Sequence, residues 1–104
     1  MTILTQDNML VNYDYISRVF INTGTIKDDT NGREFQAYEI SAIDFVGNDE
    51  IRLGLYFSED AMKNAWNQLT KWLSEKNDYH QLFTMPNVTE AAPVKQRLYA
   101  HPDE

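Results

Sequence analysis

Cysteine is absent from this chain, which removes disulfides, thiolate metal sites, iron–sulfur clusters and cysteine nucleophiles together. Glycine is scarce: Gly24, Gly32, Gly47 and Gly54 are isolated, so no glycine-rich loop can cradle a phosphate. Histidine is limited to His80 and His101, and neither has Asp or Glu beside it at ligand spacing, so no metal site is expected. Basic residues number nine against sixteen acids, a net charge of −7 that argues against nucleic acid or anionic lipid as a partner. No apolar run approaches the ~18 residues of a membrane span, and Met1 to Asp7 has neither the basic opening nor the apolar core of a secretory signal. A cytoplasmic location is the expectation, and the glycosylation-like triplet Asn87-Val88-Thr89 is read as chance.

What is present is an ordinary globular composition of 104 residues, 42% hydrophobic and 12% aromatic, enough for one core. Ile3 to Thr5 and Met9 to Val11 flank Gln6-Asp7-Asn8 and read as a small hairpin. After a bend at Asn12 to Tyr15, Ile16 to Thr23 reads as a strand and Gly24 to Gly32 as a mobile hairpin loop. Phe35 to Val46 is a long strand with Tyr38, Ile40 and Ala42 on one face and Phe35, Ala37, Ile43 and Phe45 on the other. The switch of face near Ser41 predicts a bulge. Beyond the turn Gly47-Asn48-Asp49, Glu50 to Phe57 alternates, placing Ile51, Leu53, Leu55 and Phe57 on one side and Arg52, Gly54 and Tyr56 on the other.

Ser58 is placed to cap a helix running to about Lys76, with Glu59 and Asp60 complementing its positive end. At 100° per residue, Ala61, Met62, Ala65, Trp66, Leu69, Trp72 and Leu73 fall within an arc of about 140°, so the helix has one buried face. Gln81 to Met85 should return to the sheet or pack over the helix end and stop before Pro86. Residues 1–86 are therefore read as one α+β domain: a twisted antiparallel meander of four to five strands with one amphipathic helix on one face. Residues 87–104 are read as a polar, poorly ordered tail.

The order of these elements resembles a group of small uncharacterised proteins common in Gram-positive bacteria and their phages or mobile elements. The resemblance is carried by Ile3-Leu4-Thr5-Gln6-Asp7, Val11-Asn12-Tyr13, Tyr38-Glu39-Ile40-Ser41-Ala42, Ile51-Arg52-Leu53-Gly54-Leu55-Tyr56 with Ser58-Glu59-Asp60-Ala61, and Phe83-Thr84-Met85-Pro86. It covers residues 1–86 and implies no activity, substrate or catalytic residue. A looser similarity to pleckstrin-homology-like domains lies in the bent sheet closed by a helix, although several strands are lacking.

Chemistry-bearing motifs fail on inspection. Setting Gly32 as the sixth position of a calcium loop puts Lys27 first and Tyr38 twelfth, where carboxylates are required. The pairs Asp28/Asp29, Asp49/Glu50 and Glu59/Asp60 sit in a loop, a turn and a helix start, and no nucleophile-elbow pattern surrounds Ser17, Ser41, Ser58 or Ser74. No enzyme activity and no cofactor are expected.

The aromatics are more informative. One helix cannot cover both faces of a sheet that carries apolar groups on each, so a protein partner or a second copy is expected on the uncovered face or on the tail. Tyr13, Tyr15, Tyr38 and Tyr56 are the candidate surface residues. Two alternatives stand beside this expectation. One is a small-ligand pocket between helix and sheet near Trp66 and Trp72. The other is an acidic decoy mimicking DNA, weakened by Arg18, Lys27, Arg33, Arg52, Lys63, Lys71 and Lys76 lying among the acids.

Overall fold

Two asparagines and a threonine organise the first turns of the chain. Strands β1 (Thr2–Leu4) and β2 (Leu10–Asn12) pair antiparallel, with Ile3 opposite Val11. Asn8 closes their turn at φ 63, a left-handed conformation that asparagine tolerates, while the Thr5 hydroxyl accepts from the Met9 N–H at 3.1 Å. Asn12 then caps a single 3₁₀ turn, Tyr13–Tyr15, accepting from the Asp14 N–H at 3.0 Å. The computed structural model describes residues 1–75 and 81–87 and the backbone of 96–100.

From the 3₁₀ turn the chain enters β3 (Ile16–Asp28), β4 (Glu34–Asp44) and β5 (Asp49–Tyr56), followed by helix α1 (Glu59–Ser74), β6 (Leu82–Thr84) and β7 (Gln96–Ala100). The fold is α+β. Its strands form two sheets instead of one meander: β2-β1-β6, with β6 parallel to β1, and the antiparallel β5-β4-β3-β7. The 3₁₀ turn separates the hairpin from β3, so the hairpin cannot join the main ladder and instead gives the chain leaving α1 an edge to pair with. Gln81 to Met85 thus returns to a sheet as expected: the Gln81 carbonyl accepts from Thr2 N–H at 3.2 Å, and Met85 N–H donates to Leu4 at 2.9 Å.

Strand β3 extends through Gly24, where a loop was expected, because Thr25 and Ile26 continue the ladder against Gln36 and Phe35. The turn chemistry is compressed into the residues after Asp28, whose N–H donates to the Arg33 carbonyl at 2.8 Å, and Gly32 sits at φ 73. The longer β3 also leaves an outer edge on which β7 pairs, so part of the segment set apart as a tail belongs to the sheet. Residues 88–95 and 101–104 lie outside the described residues, as does Lys76 at the expected helix end.

The bulge expected near Ser41 is present between β4 and β5. Ile40 pairs with Gly54 and Ser41 with Arg52, so the extra residue is Leu53 on β5. Clean alternation along β5 is therefore broken, and Leu53 and Tyr56 are both buried. They join Ile3, Val11, Ile40, Ala42 and Met85 in the core beneath Met62, Ala65, Leu69 and Trp72 of the helix. Ser58 caps that helix as expected, its Oγ accepting from Ala61 N–H at 3.1 Å. Ile26 and Ala37 are fully buried outside this cluster, so the main sheet is covered on more than the helix face.

Asp28 supplies a pH prediction. Its carboxylate accepts from the Thr30 hydroxyl at 2.6 Å and the Thr30 N–H at 2.8 Å; these bonds, aided by Arg33, hold it below the usual carboxylate range. A carboxyl depressed in the folded state stabilises fully above its unfolded pKa and loses that contribution as pH falls through the folded value. Asp28→Asn keeps an acceptor but no charge. Urea unfolding should show wild type more stable than this variant at pH 7, with the gap narrowing as pH falls below the usual carboxylate range of about 3.9. A gap that stays constant with pH would assign the effect to geometry alone.

Candidate interaction surface

The four tyrosines singled out by composition have different fates. Tyr56 is 1% exposed and donates from its hydroxyl to the Pro86 carbonyl at 2.8 Å; the bulge turns it into the core, so it offers no surface. Burial pushes its phenol well above the ordinary range, with the Gln6 side chain pulling the other way. Gln6 anchors the same region: its Nε2 donates to Pro86 at 2.9 Å, its Oε1 accepts from Leu55 N–H at 2.6 Å, and its N–H donates to Leu53 at 3.0 Å. It thereby covers backbone groups at the open edge of β5. Tyr38 and Tyr13 are half-buried against the core.

Tyr15 is different, at 50% exposed. Its ring meets Phe45 with centroids 6.0 Å apart and planes tilted by 57°. Phe45 is 56% exposed and Val46, beside it, 70%. The position is fixed by backbone: Phe45 N–H donates to the Tyr15 carbonyl at 3.0 Å, Val46 N–H donates to the Asp44 carboxylate at 2.7 Å, and Asn48 closes the turn at φ 57. The turn between β4 and β5, with the ring of Tyr15 from the 3₁₀ turn beside it, therefore displays a patch of two rings and a branched side chain. Sequence reasoning placed Phe45 inward with Ile43 and passed over Val46. The available signal was two large apolar residues directly preceding Gly47-Asn48-Asp49, where a strand runs out of sheet to pack against.

A second apolar surface lies on the outer side of the small sheet, where Leu10, Leu82 and neighbouring Met9 are each more than half exposed. A third feature is a groove of about 330 Å³ at the end of α1, lined by Gln68, Lys71, Trp72, Glu75 and Phe83. Its apolar wall is the Trp72–Phe83 pair, with ring centroids 5.3 Å apart. Trp66, expected beside Trp72, is half-buried against the core and does not line this groove.

On the other face of the main sheet, buried Glu39 accepts from the Ser41 hydroxyl at 3.0 Å and lies 3.6 Å from Arg52, which also approaches Asp7 at 3.7 Å. Arg52 helps to balance a buried carboxylate, which is structural chemistry. Among the described residues no cluster of three His, Asp or Glu side chains could hold a metal, and no helix is long and apolar enough to cross a membrane. Comparison of the chain with protein-family models, characterised proteins and solved structures returns no match.

Proposed function

We propose that this chain is a non-enzymatic protein-interaction module whose contact surface is Tyr15, Phe45 and Val46. The observation that carries it is the exposed aromatic pair held in place by the Phe45-to-Tyr15 backbone hydrogen bond. Aromatic side chains exposed on a fixed backbone bury much area on binding with few rotors to immobilise, which is how interface anchors work. Of the four tyrosines expected to form a surface, this reading keeps Tyr15 and drops Tyr56, which the core takes up, while Tyr13 and Tyr38 are half-buried against the core.

Phe45→Ser and Val46→Ser test it, because neither side chain belongs to the core. Unfolding stability should stay within about 0.5 kcal/mol of wild type while saturable capture of a partner from native lysate is lost. A stability loss of several kcal/mol would instead make these side chains structural, and wild type that retains no partner at any concentration would remove the function proposed. A narrower form, a cytoplasmic accessory protein of a phage or mobile element, is supported by the resemblance of residues 1–86 and is tested by the genes that flank its own.

The groove beside Trp72 supports a second reading, a small-ligand site. An aromatic or aliphatic group would lie on the Trp72–Phe83 wall between Lys71 and Glu75. Saturable quenching of tryptophan fluorescence by an amino-acid-sized zwitterion, lost in Lys71→Ala, would favour it over the hairpin tip.

A further inference from the structure

Resting on the protein-interaction reading above, we infer that the hairpin-tip patch docks into an apolar slot rimmed by Lys or Arg on a different protein, and not onto a second copy of this chain. The charge around the patch decides between these occupants. Asp14 precedes Tyr15 in the 3₁₀ turn, Asp44 and Asp49 face each other across the ends of β4 and β5, and Glu50 stands opposite Ile43. The Asp49 carboxylate lies over the turn, so that a Cβ on Gly47 would come within 2.7 Å of it. Against these four acids the described ladder brings Arg18, which pairs with Ile43 and leans over the Phe20 ring at 5.9 Å, while Arg52, two residues beyond Glu50, is engaged by Glu39 and Asp7.

A two-fold contact through this patch would set four acids against the same four acids of the second copy, since an isologous interface uses the same patch twice. Like charges brought together as water is excluded oppose association, whereas a cationic rim is attracted and steered. The uncharged outer face of the small sheet, made of Thr2, Leu4, Leu10, Asn12, Leu82 and Thr84, lacks this obstacle to self-association. It is too small to hold a copy alone: three strands of three residues span about 14 by 10 Å, against about 800 Å² a side for a standard interface.

Three synthetic 18-residue helical peptides serve as probes: leucine on one face flanked by lysine, the same face flanked by glutamate, and lysine with no leucine. Fluorescence anisotropy should show the Leu/Lys peptide binding at least about tenfold tighter than the other two. Phe45→Ser should weaken it about tenfold. The combined Asp14→Asn, Asp49→Asn, Glu50→Gln variant should weaken it similarly and flatten its salt dependence. Glu59→Gln with Asp60→Asn, which removes two acids at the helix start, should leave binding unchanged.

Equal weakening by that helix-start variant would reveal diffuse charge attraction and overturn the inference. So would equal binding of the Leu/Glu peptide, or a concentration-dependent dimer abolished by Phe45→Ser. The two levels fail separately. If Phe45→Ser abolishes capture from lysate but no Leu/Lys preference exists, the patch stands and its basic partner falls; if Phe45→Ser changes neither, both fall.

Discussion

Tyr56→Ala is expected to lose about 3–5 kcal/mol of unfolding stability, the cost of deleting a large aromatic side chain from a packed core. Tyr56 heads the fully buried side chains and lies in the cluster formed by the helix, β4, β5 and the hairpin. The loss has a second component, because the hydroxyl bonds to the Pro86 carbonyl and so ties the chain after β6 to β5. Tyr56→Phe separates the two. It keeps the ring and leaves Pro86 its bond from Gln6, so it should cost only about 1 kcal/mol. Urea unfolding followed by far-UV circular dichroism measures both. A domain of this size has only about 5–15 kcal/mol in total, so the alanine variant should unfold at markedly lower urea. A phenylalanine variant as damaged as the alanine one would place the stability in the hydroxyl clasp instead of the ring.

The sequence singled out Tyr56 as a surface residue, and its place in the core was not legible there. Strand β5 is marked by local alternation, and the helix from Ser58 by a cap and a one-sided apolar arc, both properties of neighbouring residues. The direction of Tyr56 depends on which β4 residue opposes Leu53, a non-local fact fixed when Ile40 takes Gly54 and Ser41 takes Arg52. The face switch at Ser41 announced a bulge without telling which strand holds the extra residue. The parallel pairing of β6 with β1 was hidden for the same reason, since Leu82-Phe83-Thr84 carries a strand signal but no partner's name. Phe45 shows the limit for the site: alternation assigned it a buried face, but that face ends where Gly47 turns the chain. Tyr15 was singled out by residue type alone, and its exposure and its contact with Phe45 were not legible in the sequence.

Gly54 provides the complementary test, because the bulge that buries Tyr56 also lays its ring back over the glycine two residues earlier. A Cβ at position 54 would stand 2.7 Å from the Tyr56 hydroxyl oxygen, 2.9 Å from Cε2 and 3.0 Å from Cζ. The ring cannot withdraw freely while its hydroxyl is bonded to Pro86. Gly54→Ala should therefore cost about 1–3 kcal/mol, as other overpacked core substitutions do. Alanine would otherwise tend to stabilise here by restricting the unfolded chain, provided the backbone conformation suits it. In a Tyr56→Leu background the ring is gone while an apolar side chain still fills the core, and the same substitution should be near neutral. The double-mutant cycle then gives a coupling close to the whole cost of the single change. An undiminished cost in the leucine background would show that another neighbour forbids the methyl group, and that the close approach of strand and ring is not what selects glycine at this position.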